Sequence, residues 1–177
     1  MSRLILFLFV ISIGTGQIIH AQQKEIYGTK GYRGFVEAGY TIGTGIVGMD
    51  AYGIDVHAPD RIEISITNGY LFTPYFYAGI GIGYTLYPDE SDAVVLPAYL
   101  DLRYNFRFLR MGRCYPFLNM KFGIEWVIGD EYFGGNYYTV PAAGIKWELG
   151  KKTAMNFSIG YAATDNKGIS LRAGFEF

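Results

Sequence analysis

The chain has 177 residues, of which 15 are basic and 16 acidic, giving a net charge of −1; half are apolar and 18% aromatic. That length suits one domain, the balanced charge lacks the basic excess of a nucleic-acid binder, and the aromatic content excludes a disordered chain. The single cysteine, Cys114, excludes a disulfide framework, a four-cysteine zinc site and a CxxC redox pair.

Residues 1–21 read as a secretory signal. Arg3 supplies the positive start, the greasy run 4–13 is broken only by Ser12, and small or polar residues lead to cleavage after Ala21. The run is too short for the roughly 20 apolar residues of a spanning helix. A short tail, 22–33, is expected to follow in the periplasm, and residues 34–177 form the single folded domain.

From Gly34 onward apolar residues alternate with polar or small ones, the signature of strands. Eight segments carry it: 34–44, 61–72, 75–87, 95–108, 116–128, 137–149, 154–163 and 169–177. The last is the clearest, with Ile169, Leu171, Ala173, Phe175 and Phe177 on one side and Ser170, Arg172, Gly174 and Glu176 on the other. At 100° per residue those apolar side chains would scatter around a helix. Asn68 on an apolar side and Pro141 inside a strand predict a bulge at one or both positions. The links after the second, fourth and sixth strands are short and those after the first, third and fifth are longer, the pattern of an outer-membrane barrel. The predicted fold is all-β, an eight-stranded antiparallel up-and-down transmembrane β-barrel.

A soluble eight-stranded barrel also alternates, and two features decide against it. The non-apolar side is rich in glycine, which a water-facing strand has no use for and a crowded lumen does. The apolar side gathers aromatics near strand ends: Phe72, Phe76, Phe106, Phe108, Trp147, Phe175 and Phe177 toward the short turns, Tyr40, Tyr84, Trp126, Tyr137 and Tyr161 toward the long loops. Two such girdles mark membrane interfaces. The polar side is then the lumen, holding Glu37, Glu63, Asp101, Arg103, Arg107, Lys121, Glu125, Lys146, Glu148, Arg172 and Glu176. Each Lys or Arg facing lipid at mid-depth would cost about 2–4 kcal/mol, whereas inside they can pair.

With these features in place, the chain resembles the small eight-stranded outer-membrane β-barrel proteins. More narrowly, it resembles those of the Bacteroidetes type labelled porin-family or outer-membrane β-barrel domain. The stretch Asn68-Gly69-Tyr70-Leu71-Phe72-Thr73-Pro74-Tyr75-Phe76-Tyr77-Ala78-Gly79-Ile80-Gly81-Ile82-Gly83-Tyr84 looks like the family's strand–turn–strand signature. The terminal Phe177, with Phe175 two positions before it, looks like the signal read by the barrel-insertion machinery of a Gram-negative envelope. The resemblance implies a cell outer-membrane location after export through the periplasm, and no common reaction.

Chemistry is sparse. Beyond the signal His57 is the only histidine, so a lipid-modifying hydrolase or acyltransferase would need it to meet Ser65 or Ser91, and nothing in the sequence brings them together. Gly79–Gly83 is no phosphate loop, because no helix follows. Eight strands leave an interior that side chains fill, which argues against a wide pore. The long-loop end is acidic, and Asp89, Glu90, Asp92, Asp130 and Glu131 form a candidate divalent-cation site. The aromatic loop 130–138, with Tyr132, Phe133, Tyr137 and Tyr138, is a candidate adhesive surface. No cofactor, catalytic residue or nucleic acid is expected. The expected partners are outer-membrane lipids, the insertion machinery, and an extracellular ligand or divalent cation at the acidic loops of a monomer. The expected function is structural or adhesive and non-enzymatic, with a narrow porin-like channel or transport-linked barrel as the alternative.

Overall fold

The computed structural model describes residues 30–44, 46–49, 55–88, 94–128, 133–150, 153–164 and 167–177. The signal segment and most of the acidic loop residues lie outside them. Eight long strands form the barrel: β1 (Gly31–Gly43), β4 (Arg61–Leu71), β5 (Phe76–Leu86), β6 (Val94–Asn105), β7 (Cys114–Ile128), β8 (Phe133–Glu148), β9 (Ala154–Ala162) and β10 (Gly168–Glu176). A separate two-stranded hairpin, β2 (Ile46–Met49) with β3 (Asp55–His57), occupies the first long loop.

Each barrel strand pairs antiparallel with its sequence neighbour, and β1 pairs with both β4 and β10, closing the sheet without a free edge. Closure ends on the last residue. Phe177 N–H donates to Gly34 O at 3.0 Å, Gly34 N–H donates back to Phe177 O at 2.9 Å, and the Phe177 ring covers Gly34 on the outer face. Such a sheet satisfies its ladder internally, the condition for standing in a medium that cannot hydrogen-bond.

The period-two pattern sorts the faces. Ile80 is 68% exposed on the outside, whereas Asp101 and Lys121, on neighbouring β6 and β7, are 0% exposed inside. At the short-turn end the outer face carries linked aromatic rings, Tyr75 on Tyr104, Tyr104 on Phe106 and Phe106 on Phe108, with centroids 5.0–6.4 Å apart.

Inward glycines make room for rings. Side chains added at Gly79 or its cross-strand partner Gly69 would strike the Tyr77 hydroxyl, and one at Gly81 would strike the Tyr99 ring at 2.5 Å. The repeated glycines of β5 are thus the floor on which two lumenal tyrosines lie.

Several boundaries differ from the sequence reading. β1 begins at Gly31, so residues 31–33 belong to the barrel rather than to a tail; Tyr32 and Arg33 simply continue the alternation. β6 ends at Asn105 rather than 108: Phe106, at φ −83° and ψ 62°, leaves the extended region and residues Arg107–Leu109 form a 3₁₀ turn that reverses the chain. β8 begins at Phe133 rather than 137, because pairing of Phe133–Asn136 with β7 overrides the turn-like Gly-Gly-Asn composition. Neither expected bulge forms. Register runs unbroken through Asn68 on both sides. Pro141 stays in register with Met120, and its missing donor falls on the β9 side, where the ladder resumes at the bond from Ala163 N–H to Thr139 O.

The substitution Gly79→Val should prevent or slow barrel formation, since its side chain meets Tyr77 and the Asn68 carbonyl and overpacking costs at least about 1–3 kcal/mol. The outward change Ile80→Val should be tolerated. The shift in gel mobility between heated and unheated samples reads both.

Candidate functional site

The barrel interior is a stack of charged and aromatic side chains, held because every second residue of each strand points inward. At the short-turn end Glu176 bridges Arg33 at 3.4 Å and Lys146 at 2.6 Å. Beside it Glu148 takes Arg107 at 2.5 Å and Arg110 at 2.6 Å.

Further in, Arg103 joins Asp101, two residues earlier on the same face of β6, and reaches Glu37 of β1 at 3.0 Å. Its guanidinium lies 3.8 Å from the Phe35 ring centroid. Lys121 completes the group at 2.7 Å from Glu37, and the Asn119 amide donates to Asp101. Above this, Arg172 holds Glu63 by two parallel bonds of 2.8 and 3.1 Å. The Tyr138 hydroxyl donates to Glu63 at 3.0 Å and accepts from Arg172 at 2.9 Å. Tyr138 also stacks on Tyr99, centroids 5.3 Å apart, and the Tyr99 hydroxyl lies 3.1 Å from Thr67 Oγ1. Nearest the long loops, Arg61 donates to Thr164 at 3.1 Å and stands 3.8 Å from Glu125.

The structure therefore places Glu37, Glu63, Asp101, Arg103, Lys121, Glu125, Lys146, Glu148, Arg172 and Glu176 buried inside the barrel, with Arg107 half-buried at the rim. Two buried bases lie outside that sequence-derived set. Arg33 lies in the segment that the sequence reads as a tail, and Arg61 opens β4 at a strand boundary; with them the buried described residues comprise six acids and six bases. The lumenal aromatics Phe35, Tyr77, Tyr99, Tyr115, Phe117 and Tyr138 were also missed. Their signal is parity: Phe35, Tyr99, Tyr115, Phe117 and Tyr138 share their strand's inward register with a charged residue, and Tyr77 shares that of β5 with glycines and Thr85.

Other candidates fare differently. Tyr138, expected in an adhesive loop, is buried in the lumen, while Tyr137 is exposed on the outer side. The candidate cation residues Asp89, Glu90, Asp92, Asp130 and Glu131 lie outside the described residues, as do Ser91 and Tyr132. His57 falls in β3, with its side chain outside the described set; Ser65 faces the lumen, 3.5 Å from Lys121 Nζ. Cys114 is a half-buried free thiol at the start of β7, opposite Trp147. Among the described residues no three His, Cys, Asp or Glu side chains gather as a metal site. Near the base of the first long loop, Asp60 accepts from the Tyr40 hydroxyl and from Gly43 N–H at 2.9 Å. The Tyr40 bond first, then the Gly43 amide, hold its carboxyl below the usual carboxylate range.

The fold, a closed eight-strand barrel, is shared with solved proteins. The chain is a relative in fold of outer-membrane barrels. Neisserial surface protein A matches with a TM-score of 0.64 at 11% identity, over 86% of this chain and 98% of that one. The outer membrane protein OprG from Pseudomonas aeruginosa matches with a TM-score of 0.55 at 12% identity, over 86% and 99%. The N-terminal β-barrel domain of Pseudomonas aeruginosa OprF matches with a TM-score of 0.51 at 17% identity, over 84% and 100%. Identities this low establish the fold alone. No family model and no curated protein matches the chain.

Chemically, the lumen can hold charge in fixed pairs. Arg172→Leu should destabilise the barrel by about 3–5 kcal/mol, because it strands a buried carboxylate, whereas Arg172→Leu with Glu63→Leu should recover most of the loss. Urea unfolding of the folded barrel in detergent measures both.

Proposed function

We propose that this chain is an exported integral protein of the bacterial outer membrane, a barrel with a filled polar lumen that acts without catalysis, as a structural or adhesive element through its outer loops. One observation carries the reading: the large apolar side chains lie exposed on the outside while the paired charges are sealed within. Water would invert that arrangement, and a bilayer stabilises it. The neighbours in fold support the location, OprG being by name an outer membrane protein. Within that class, the stretch 68–84 and the alternating Phe175 and Phe177 support kinship with the Bacteroidetes-type porin-family barrels and delivery by the insertion machinery. Export through a signal at 1–21 and a monomeric state complete the proposal.

The acidic residues Asp89, Glu90, Asp92, Asp130 and Glu131 supply the loops with ligands for a divalent cation or a cationic partner. A narrow channel is the second reading. Its specific support is that Tyr77 Oη, Asn105 Oδ1 and both amide atoms of Asn156 are buried without a hydrogen-bond partner among the described residues. Buried polar groups of that kind are commonly satisfied by water.

Two measurements test the proposal together. Envelope fractionation should find the protein with outer-membrane markers and resistant to carbonate extraction. Purified protein in planar bilayers should insert without reproducible conductance steps, since the pairs of Glu37 with Arg103 and Lys121, and the Tyr138–Glu63 hydrogen bond, cross the lumen. Recovery in the soluble periplasmic fraction contradicts the location, and reproducible steps replace the first reading with the channel.

A further inference from the structure

The link between β6 and β7 differs from the one between β4 and β5. Residues 72–75 form a tight turn in which the Thr73 hydroxyl accepts from the amides of Tyr75 and Phe76 at 3.2 and 3.0 Å. The β6–β7 link instead builds a small platform beyond the barrel rim: the 3₁₀ turn Arg107–Leu109, then a hairpin in which Met111 and Cys114 exchange backbone bonds of 2.8 and 3.0 Å. Gly112, at φ +63°, takes the left-handed position of the two-residue turn. The platform is therefore held by its own hydrogen bonds.

Its surface is amphipathic. Phe108 is 66% exposed, Leu109 51% and Met111 78%, although all three lie past the last ladder residue of β6. Phe108 continues the row of outward rings from Tyr104 through Phe106. Among these apolar groups stand Arg107, Arg110 and Arg113, and among the described residues the one carboxylate they pair with is Glu148, which Arg107 and Arg110 share. Three arginines stand against that single carboxylate, which leaves the tip with an excess of positive charge. Arginine is the side chain best suited to phosphate oxygens, and bases at a membrane surface are attracted by anionic lipid.

We propose that the β6–β7 turn is a lipid-surface anchor: Phe108, Leu109 and Met111 enter the interfacial layer while Arg110 and Arg113 engage the phosphates of anionic glycerophospholipids. The inference rests on the membrane reading above and adds to it the lipid class and the binding element. Continuity of the apolar tip with the outward aromatic row favours lipid over a soluble protein partner, which would meet a face set apart from that row.

The test uses the folded chain reconstituted into vesicles of phosphatidylcholine alone and into vesicles with one third phosphatidylglycerol. The thermal midpoint should rise by about 4–8 °C in the anionic vesicles. The gain should vanish in high salt and fall by about half in Arg113→Gln, whose side chain is exposed and whose backbone contacts are kept. A tryptophan introduced by Met111→Trp, in a background of Trp126→Phe and Trp147→Phe, should be quenched by brominated lipid. Equal midpoints in the two vesicles, with the barrel inserted in both, overturn headgroup recognition. An unquenched tryptophan at position 111 in an inserted barrel overturns the anchor and leaves the turn to a protein partner. A chain that inserts in neither vesicle contradicts the membrane reading itself and removes this inference with it.

Discussion

Charge neutrality inside a closed sheet is the constraint on which the rest of this structure depends. Eight strands enclose too little space for freely hydrated side chains, and the outer face is apolar. Charged residues of the barrel strands can therefore sit only inside, and there each needs a partner, because an unpaired buried charge costs several kcal/mol. The chain meets this with equal numbers of buried acids and bases among the described residues: Glu37 of β1 pairs across the lumen with Arg103 of β6 and Lys121 of β7, while Glu63 of β4 and Arg172 of β10 pair over Gly39 of the intervening β1. The Glu37 pairs, and the Tyr138 hydroxyl of β8 on Glu63 of β4, link strands far apart in the sheet, so the polar filling also fixes which strands face one another.

Space is rationed by the same logic. Tyr77 and Tyr99 fit inside only because Gly69, Gly79 and Gly81 yield their side-chain volume to them. The rings in turn support charge: Phe35 lies against the Arg103 guanidinium, and Lys121 Nζ is 4.7 Å from the Tyr99 ring centroid. The near-zero net charge and high glycine and aromatic content of the chain are consequences of one packing problem. Their average conceals two faces of opposite character.

The eight strands were legible because a half-buried strand imposes a strict period of two, and no other element reproduces it over ten or more residues. What escaped was the ends and the exceptions. Gly31 and the Gly134-Gly135-Asn136 run look like turns, yet they lie in strands because pairing across the sheet outweighs local preference. The hairpin of β2 and β3 is too short to show a period. Arg61 is the first residue of a predicted strand and Arg33 lies one residue before another, where the inward register has no preceding alternation to mark it. Lumenal tyrosines escaped because a tyrosine reads as apolar, while its hydroxyl makes it a member of the polar network, as Tyr138 is with Glu63 and Arg172. Pro141 looked like a defect, but its lost donor interrupts only the ladder to β9.

The claim at the centre of this account is the reversal of solvation between the two faces. Nitroxide labels attached in turn at Ile80, Leu100 and Leu171, all outward and on three different strands, test it most directly in a Cys114→Ser background. In reconstituted bilayers, oxygen should relax all three labels far more than a water-soluble nickel chelate does. If the chelate relaxes them more than oxygen at all three positions, the outer face meets water and the account is wrong.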